Sequence, residues 1–237
     1  MGKNLLQQRR GRGTIRFRAQ RHRYYGKISY GKMGTELKGK VEDIVHCPAH
    51  SSPLMTIKYE NGESALIPAN ENAKVGAEIS CGENSKIEGG NVLPLNKIPE
   101  GTLIFNIESQ PGDGGKFVRS SGTCARVVAK SNDAVKIELP SKKEKDFNPM
   151  CRATIGRISG AGRLEKPITK AGNAFYKMTA RNRVWPHVCG QSMNAVAHPH
   201  GGKRSSHKNY PMVVSRHTPP GAKVGKIAAR RTGRKNR

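Results

Sequence analysis

The apolar positions of this 237-residue chain never run on for long. They fall in short stretches divided by turn residues. From Leu37 onward, KGKVEDIVHC, PLMTIKYE, SALIPA and GAEISCG carry Val, Ile and Thr between Gly and Pro, with no long segment of helical period. That pattern predicts strands at roughly 8–12-residue spacing and a small barrel or sandwich. In HCPAHSSP, Pro48 and Pro53 close one strand and lead to the next, and NGES (Asn61 to Ser64) reads as a hairpin turn. A second all-β run follows: GTLIFNIES, CARVVAK, AVKIELP and CRATIGRIS, with SNDA (Ser131 to Ala134) as a turn. Between the two runs, Lys86 to Gly101 is rich in Gly and Pro and reads as a linker. The segment Ala171–Arg183 predicts one short helix, and after Trp185 the chain turns to loop. The expected division is residues 1–36 as an N-terminal arm, 37–85 as a first barrel, 86–196 as a linker and second barrel, and 197–237 as a C-terminal extension.

Charge changes this picture most. The net charge is +26 and the pI about 10.3. Residues 1–32 hold ten Lys/Arg and no acid, and residues 166–237 hold sixteen and none. The intervening residues balance seventeen Lys/Arg against all seventeen Asp/Glu. A neutral body with two cationic extensions calls for a polyanionic partner. The apolar fraction of 35% suffices for a core that does not fill the chain. No stretch approaches 18 apolar residues, and apolar residues in the basic ends are too sparse for an amphipathic membrane anchor. The N-terminus is basic at once, without the apolar run of a signal peptide. Five widely spaced cysteines without a CxxC pair argue against a disulfide framework and for a reducing compartment.

Several motifs invite catalytic or metal readings. His46, Cys47 and His50 are close in sequence, yet they lack the paired spacing and fourth ligand of a zinc site. His187, His198, His200 and His207 lie in a segment with no carboxylate to act as base or orienting partner, which speaks against metal-assisted hydrolysis. Cys189 near His187 or His198 is weak evidence for a nucleophile. GDGGK (Gly112 to Lys116) lacks the spacing and following Ser/Thr of a P-loop, although its backbone N–H groups could meet an RNA phosphate. The stretch HPHGGKRSSH reads differently. Pro199 fixes a φ angle, Gly201 and Gly202 permit close backbone approach, and Lys203, Arg204 and Lys208 add charge. A pre-shaped loop followed by cations suits insertion among packed RNA backbones.

The segments NVLPLNKIPEGTLIFNIESQPGDGGKFVRSSGTCARVVAK, CRATIGRIS, KAGNAFYK, VCGQSMNAVAHPHGG and IAARRTGR together resemble the L-two family of large-subunit ribosomal proteins, across nearly the whole chain and in order. The closing IAARRTGR resembles the archaeal and eukaryotic cytosolic branch, and the archaeal one is favoured. The resemblance implies an all-β fold: an OB-like barrel followed by a Src-homology-3-like barrel, with basic arms that thread into rRNA. It implies a structural constituent of the cytoplasmic large ribosomal subunit and not an enzyme. Its implied partners are large-subunit rRNA, other ribosomal proteins, and tRNA and the small subunit at the interface. Roles proposed for the family are subunit association, tRNA binding and assembly of the peptidyl transferase centre. The family loop usually reads GxxMNPVxHPxGG with an acid before the first His. Here Ala195 stands for the usual Pro, Ala197 for the acid and Lys203 for a Gly. That leaves His198 without an orienting carboxylate in the loop, so the loop is expected to be an RNA contact and not a catalytic one.

The expected RNA-binding residues are Arg10, Arg12, Arg16, Arg18, Arg21 and Arg23 in the first arm. In the second they are Arg181, Arg183, His198, His200, Gly201, Gly202, Lys203, Arg204, Arg230, Arg231 and Arg234. Arginine pairs with phosphates in bidentate fashion and stacks on unpaired bases. No cofactor or metal is expected. Two rivals remain open at this point. A free nucleic-acid-binding module would share the charge, and OB-like barrels bind single strands by stacking, but the body is poor in aromatics. An RNA-modifying enzyme would use Cys189 or the histidines.

Overall fold

A computed structural model describes residues 2–31, 36–203 and 213–231. The fold is all-β with few helices, and the chain forms two compact units. One, the barrel unit, spans Arg21–Ile168; the other, the basic unit, combines Met1–Gln20 with Thr169–Arg237.

The barrel unit begins its first barrel, OB-like, with β1 (Leu37–Val45), β2 (Leu54–Tyr59), β3 (Ser64–Pro68) and β4 (Glu78–Cys81). Along β1 the burial alternates, with Leu37, Gly39 and Val41 inward and Lys38 and Lys40 outward. This is the two-residue period of a half-buried strand. Gly39 is required by packing, because a Cβ there would collide with Ile57, Tyr59 and the Lys58 carbonyl. The NGES turn closes the β2–β3 hairpin: Gly62 has φ 81° and the Asn61 side chain accepts the Glu63 N–H. The second, Src-homology-3-like barrel uses β5 (Val92–Pro94), β6 (Leu103–Phe105), β7 (Ala125–Lys130), β8 (Val135–Glu138), β9 (Glu144–Phe147) and β10 (Arg152–Ile155). All ten strands join one sheet in the order β3-β2-β1-β4-β5-β10-β6-β7-β8-β9.

The linker expected at Lys86–Gly101 is not one. Strand β5 pairs parallel with β4 through Cys81 and Val92, and antiparallel with β10. Val92 packs into the first core, with Met55, Ile57 and Ile67, and Leu93 packs into the second, with Ile104, Val127 and Ile137. Successive strand side chains point to opposite faces, so a three-residue strand serves both cores. Leu95 and Ile98 are fully buried as well. Their burial contributes on the order of 3–6 kcal/mol of transfer free energy. A linker could not carry that apolar surface in water.

The first arm is also not uniform. Ile28 and Tyr30 are buried in the barrel unit. The Tyr30 hydroxyl donates to the Asn106 carbonyl at 2.6 Å and shares a hydrogen bond with Thr154 Oγ1 at 2.7 Å. Burial raises its pKa far above the tyrosine range. Beside it, Arg152 donates to the Gly31 carbonyl (2.7 Å) and to the fully buried Glu108 carboxylate (2.9 Å).

In the basic unit the chain forms α1 (Leu6–Gly11), α2 (Ala171–Ala180) and a short parallel pair, β11 (Val213–Val214) with β12 (Lys226–Ile227). The Gln8 side chain accepts the Leu5 N–H at the start of α1. That satisfies a donor which the first turn of a helix leaves open. Helix α2 ends earlier than the predicted Arg183, in a Schellman motif. Asn182 is left-handed (φ 54°), its N–H reaches the Thr179 carbonyl, and the Arg183 N–H reaches the Met178 carbonyl. Among the described residues of this unit, only Leu5 and Val224 are buried apolar side chains.

Candidate nucleic-acid interface

The basic unit contains 21 Lys/Arg and not one Asp or Glu; the barrel unit contains 22 Lys/Arg and all 17 acids. Without internal carboxylates, the basic unit cannot neutralise itself. Polar bonds between its two chain segments hold the charge together. Asn182 Nδ2 donates to the carbonyls of Ile15 (2.7 Å) and Arg18 (2.8 Å), and Gln20 donates to Asn182 Oδ1 (3.2 Å). The residue that terminates α2 therefore also ties the N-terminal segment to it. Gln7 donates to the Lys223 carbonyl (2.7 Å), and the Lys3 N–H donates to the Val196 carbonyl (2.8 Å).

These bonds place the expected contact residues. Arg10 lies on α1, while Arg12, Arg16 and Arg18 follow it, all exposed. Asn182 brings the Arg16–Arg18 segment to the end of α2, where Arg181 is half-buried and Arg183 exposed. Arg230, Arg231 and Lys203 are exposed in the same unit. Arg21 and Arg23 belong instead to the barrel unit, in a 3₁₀ turn where Arg23 is exposed. Arg204 and Arg234 lie outside the described residues, as do Ser205, Ser206, His207 and Lys208.

The loop MNAVAHPHGG folds on its own backbone. The Asn194 carbonyl accepts the N–H groups of Ala197 (2.9 Å) and His198 (3.2 Å), and the Met193 carbonyl accepts that of Gly202 (3.0 Å). Gly201 is buried, and a Cβ there would collide with the Asn194 and Met193 carbonyls. Gly202 has φ 105°, a conformation that favours glycine. The His198 ring lies against the Gly190 backbone, where no side chain would fit. Its Nδ1 accepts the His200 N–H at 3.1 Å, and the two rings meet edge to face with centroids 5.0 Å apart. Burial, then the neighbouring His200, holds the His198 pKa below its ordinary value. His198 is thus a neutral ring with a backbone N–H on the nitrogen that an orienting acid would otherwise fix.

The second glycine-rich loop does not have the role considered for it. Gly112 and Gly114 donate their N–H groups to Glu108, and Ser109, Gln110 and Gly115 donate theirs to Asp113. The nest is filled by the loop's own carboxylates, so PGDGG offers no free anion site. Among the described residues no three His, Cys, Asp or Glu side chains gather in a metal-holding group. Cys47, Cys81 and Cys151 are buried free thiols, Cys124 is half-buried and Cys189 is exposed. No helix is long and apolar enough, among the described residues, to cross a membrane.

Charge composition did not single out two further arginines, Arg157 and Arg163, which meet the loop of residues 115–122 from later parts of the barrel unit. Only tertiary structure brings them there.

Two small β-barrels sharing a strand, together with an acid-free basic unit, define a protein built to lie on a folded polyanion. Residues 2–81 match the family model described as Ribosomal Proteins L2, RNA binding N-terminal domain, and residues 88–221 match that for Ribosomal Proteins L2, C-terminal domain. The chain belongs to this ribosomal protein L2 family. It is 50% identical over 240 residues to the large ribosomal subunit protein uL2 of Methanothermobacter thermautotrophicus and to that of Methanosphaera stadtmanae, and 48% identical to that of Methanococcus aeolicus. Each alignment covers 99% of this chain and 100% of the relative.

Proposed function

We propose that this chain is a structural constituent of an archaeal-type large ribosomal subunit in the cytoplasm, and not an enzyme. It binds large-subunit rRNA, contacts neighbouring ribosomal proteins, and supports subunit association, tRNA binding and assembly of the peptidyl transferase centre. The observation that carries this reading is the basic unit: 21 Lys/Arg, no acid, and two chain segments drawn together by Asn182. Each cation placed on a phosphate releases counterions, and that release drives binding. The contacts we assign are Arg10, Arg12, Arg16, Arg18, Arg181, Arg183, Lys203, Arg230 and Arg231, with Arg21, Arg23, Arg204 and Arg234 alongside them. His198, His200, Gly201 and Gly202 shape the inserting loop. Residues 1–36 and 197–237 act as the RNA-threading parts, and 37–85 and 86–196 as the barrels that position them.

The test is the salt dependence of binding to large-subunit rRNA. Replacing Arg16, Arg18, Arg181 and Arg183 together with Ala should make the log–log slope shallower by about 3–3.5, since each neutralised phosphate contributes about 0.7–0.9. An unchanged slope would remove the basic unit from the interface.

A further inference from the structure

Arg157 and Arg163 share an arrangement that no other pair of arginines described here repeats. Arg157 Nε donates to the Gly122 carbonyl at 3.1 Å, and Arg163 Nε donates to Ser121 Oγ at 2.7 Å. The two anchors are consecutive residues of one loop. Both arginines are exposed, and their terminal amino groups bond to no described residue. The acids nearest in the chain do not neutralise them. Glu71 donates its N–H to the Arg157 carbonyl and Glu165 closes the turn that carries Arg163, yet neither carboxylate forms an ion pair with either arginine.

The backbone beneath is built for this approach. Gly122 has φ 70°, and a Cβ there would overlap Ala161, so the 3₁₀ turn Ala161–Leu164 can lie on the loop only because residue 122 is glycine. Gly160 also takes a left-handed conformation, φ 78°, to start that turn. The loop is fixed from the other side as well. The Ser121 N–H donates to Ser51 Oγ, and the Gly122 N–H donates to the Ile158 carbonyl. Ser121 is buried, whereas Ser120 beside it is exposed. A guanidinium held through Nε keeps its plane fixed and leaves the end-on pair of terminal N–H groups to meet a phosphate in bidentate fashion.

We propose that Arg157 and Arg163 form a two-pronged phosphate clamp, through which the barrel unit grips the sugar–phosphate backbone of RNA independently of the basic unit. This rests on the proposed rRNA-binding function and adds a site to it. The ligand class is a pair of phosphodiesters. A contact to phosphates fixes position and carries no base identity.

The test uses the full-length chain and a large-subunit rRNA transcript, with binding measured from low to high salt. Arg157→Gln with Arg163→Gln should weaken binding roughly ten- to a hundredfold near physiological salt and make the slope shallower by about 1.4–1.8. Arg157→Lys with Arg163→Lys keeps the charge but loses the anchored fork. It should retain the slope while still losing several-fold in affinity. Circular dichroism and thermal melts accompany every variant. If the Gln pair fails to fold, phosphate-ethylation interference on RNA bound to the wild-type chain is compared with that for the folded Lys pair. Interference at a pair of phosphates that is lost in the Lys pair supports the clamp. Unchanged affinity and slope in a folded Gln pair, or an identical interference pattern, overturns it. If the wild-type chain itself shows no salt-dependent binding, the proposed function fails, and not the clamp alone.

Discussion

Two glycine-rich loops in this chain look alike as text, PGDGG at residues 111–115 and HPHGG at 198–202, and the structure builds them in opposite ways. In the first, the backbone N–H groups converge on Glu108 and Asp113, and Glu108 is fully buried against Arg152. In the second, the acceptors are the carbonyls of Met193, Asn194 and His198 and one imidazole nitrogen, with no carboxylate anywhere in the unit. A turn that supplies its own anion closes on itself and becomes part of the core. A turn that supplies none leaves the cations around it without a counterion, and they need a partner from outside. The same contrast separates the whole units. The barrel unit is held by three buried apolar clusters, the basic unit, among its described residues, by a few polar bonds around two buried apolar side chains.

The largest loss of stability is expected from Glu108→Ala. It removes the acceptor for the N–H groups of Gly112, Gly114 and Arg152 and leaves the Arg152 guanidinium buried without its carboxylate. Removing one member of a buried pair costs about 3–5 kcal/mol, which chemical denaturation of the full chain would read directly. A loss below about 1 kcal/mol would mean that the closed loop does not depend on its internal anion. A smaller effect is expected in the other unit from Asn182→Gly. Glycine keeps the left-handed end of α2 but loses both bonds to the Ile15 and Arg18 carbonyls, a cost of about 1–2 kcal/mol. Helix content by circular dichroism should hold while rRNA affinity falls. If affinity holds too, the two basic segments reach RNA separately.

How much of this could be read in the sequence depended on the range of the forces involved. Strand β1 was legible because Leu37, Gly39 and Val41 alternate with lysines, and so was its hairpin neighbour through NGES. Strand β5 was not, since three residues give no period and both of its faces are buried. Flanking glycines and prolines made it look like a linker. Ile28 and Tyr30 were hidden for a different reason: the surrounding arginines set the composition, while two apolar side chains set the packing. In the basic unit the charge, the glycines and the helix were visible in the sequence. Asn182 as a tether was not, because its partners Ile15 and Arg18 lie more than 160 residues away. Arg157 and Arg163 are likewise ordinary body cations until the fold sets them on residues 121 and 122.

A change in pH acts on the second loop more weakly than either substitution. His198 is held below its ordinary pKa of 6.5, first by burial and then by His200. The proton on a neutral ring sits on Nε2, because Nδ1 accepts the His200 N–H. Protonating Nδ1 would set two donors against each other. A histidine whose folded pKa lies below its unfolded value binds fewer protons in the fold, so its contribution to stability is present above pH 6.5. That contribution is lost as pH falls from 6.5 through the folded midpoint. His198 is partly exposed, so the change in global stability is small, and the local readout is the better one. An NMR titration should place the His198 midpoint below 6.5, with the His200 amide losing exchange protection over the same pH range. His200→Gln should raise the midpoint part of the way, since burial remains. On bound rRNA, a phosphate near the ring would push the midpoint upward, the direction that the free loop cannot reach by itself. A midpoint above 6.5 in the free chain would mean that a carboxylate does face His198, and that the two glycine loops differ less than their structures imply.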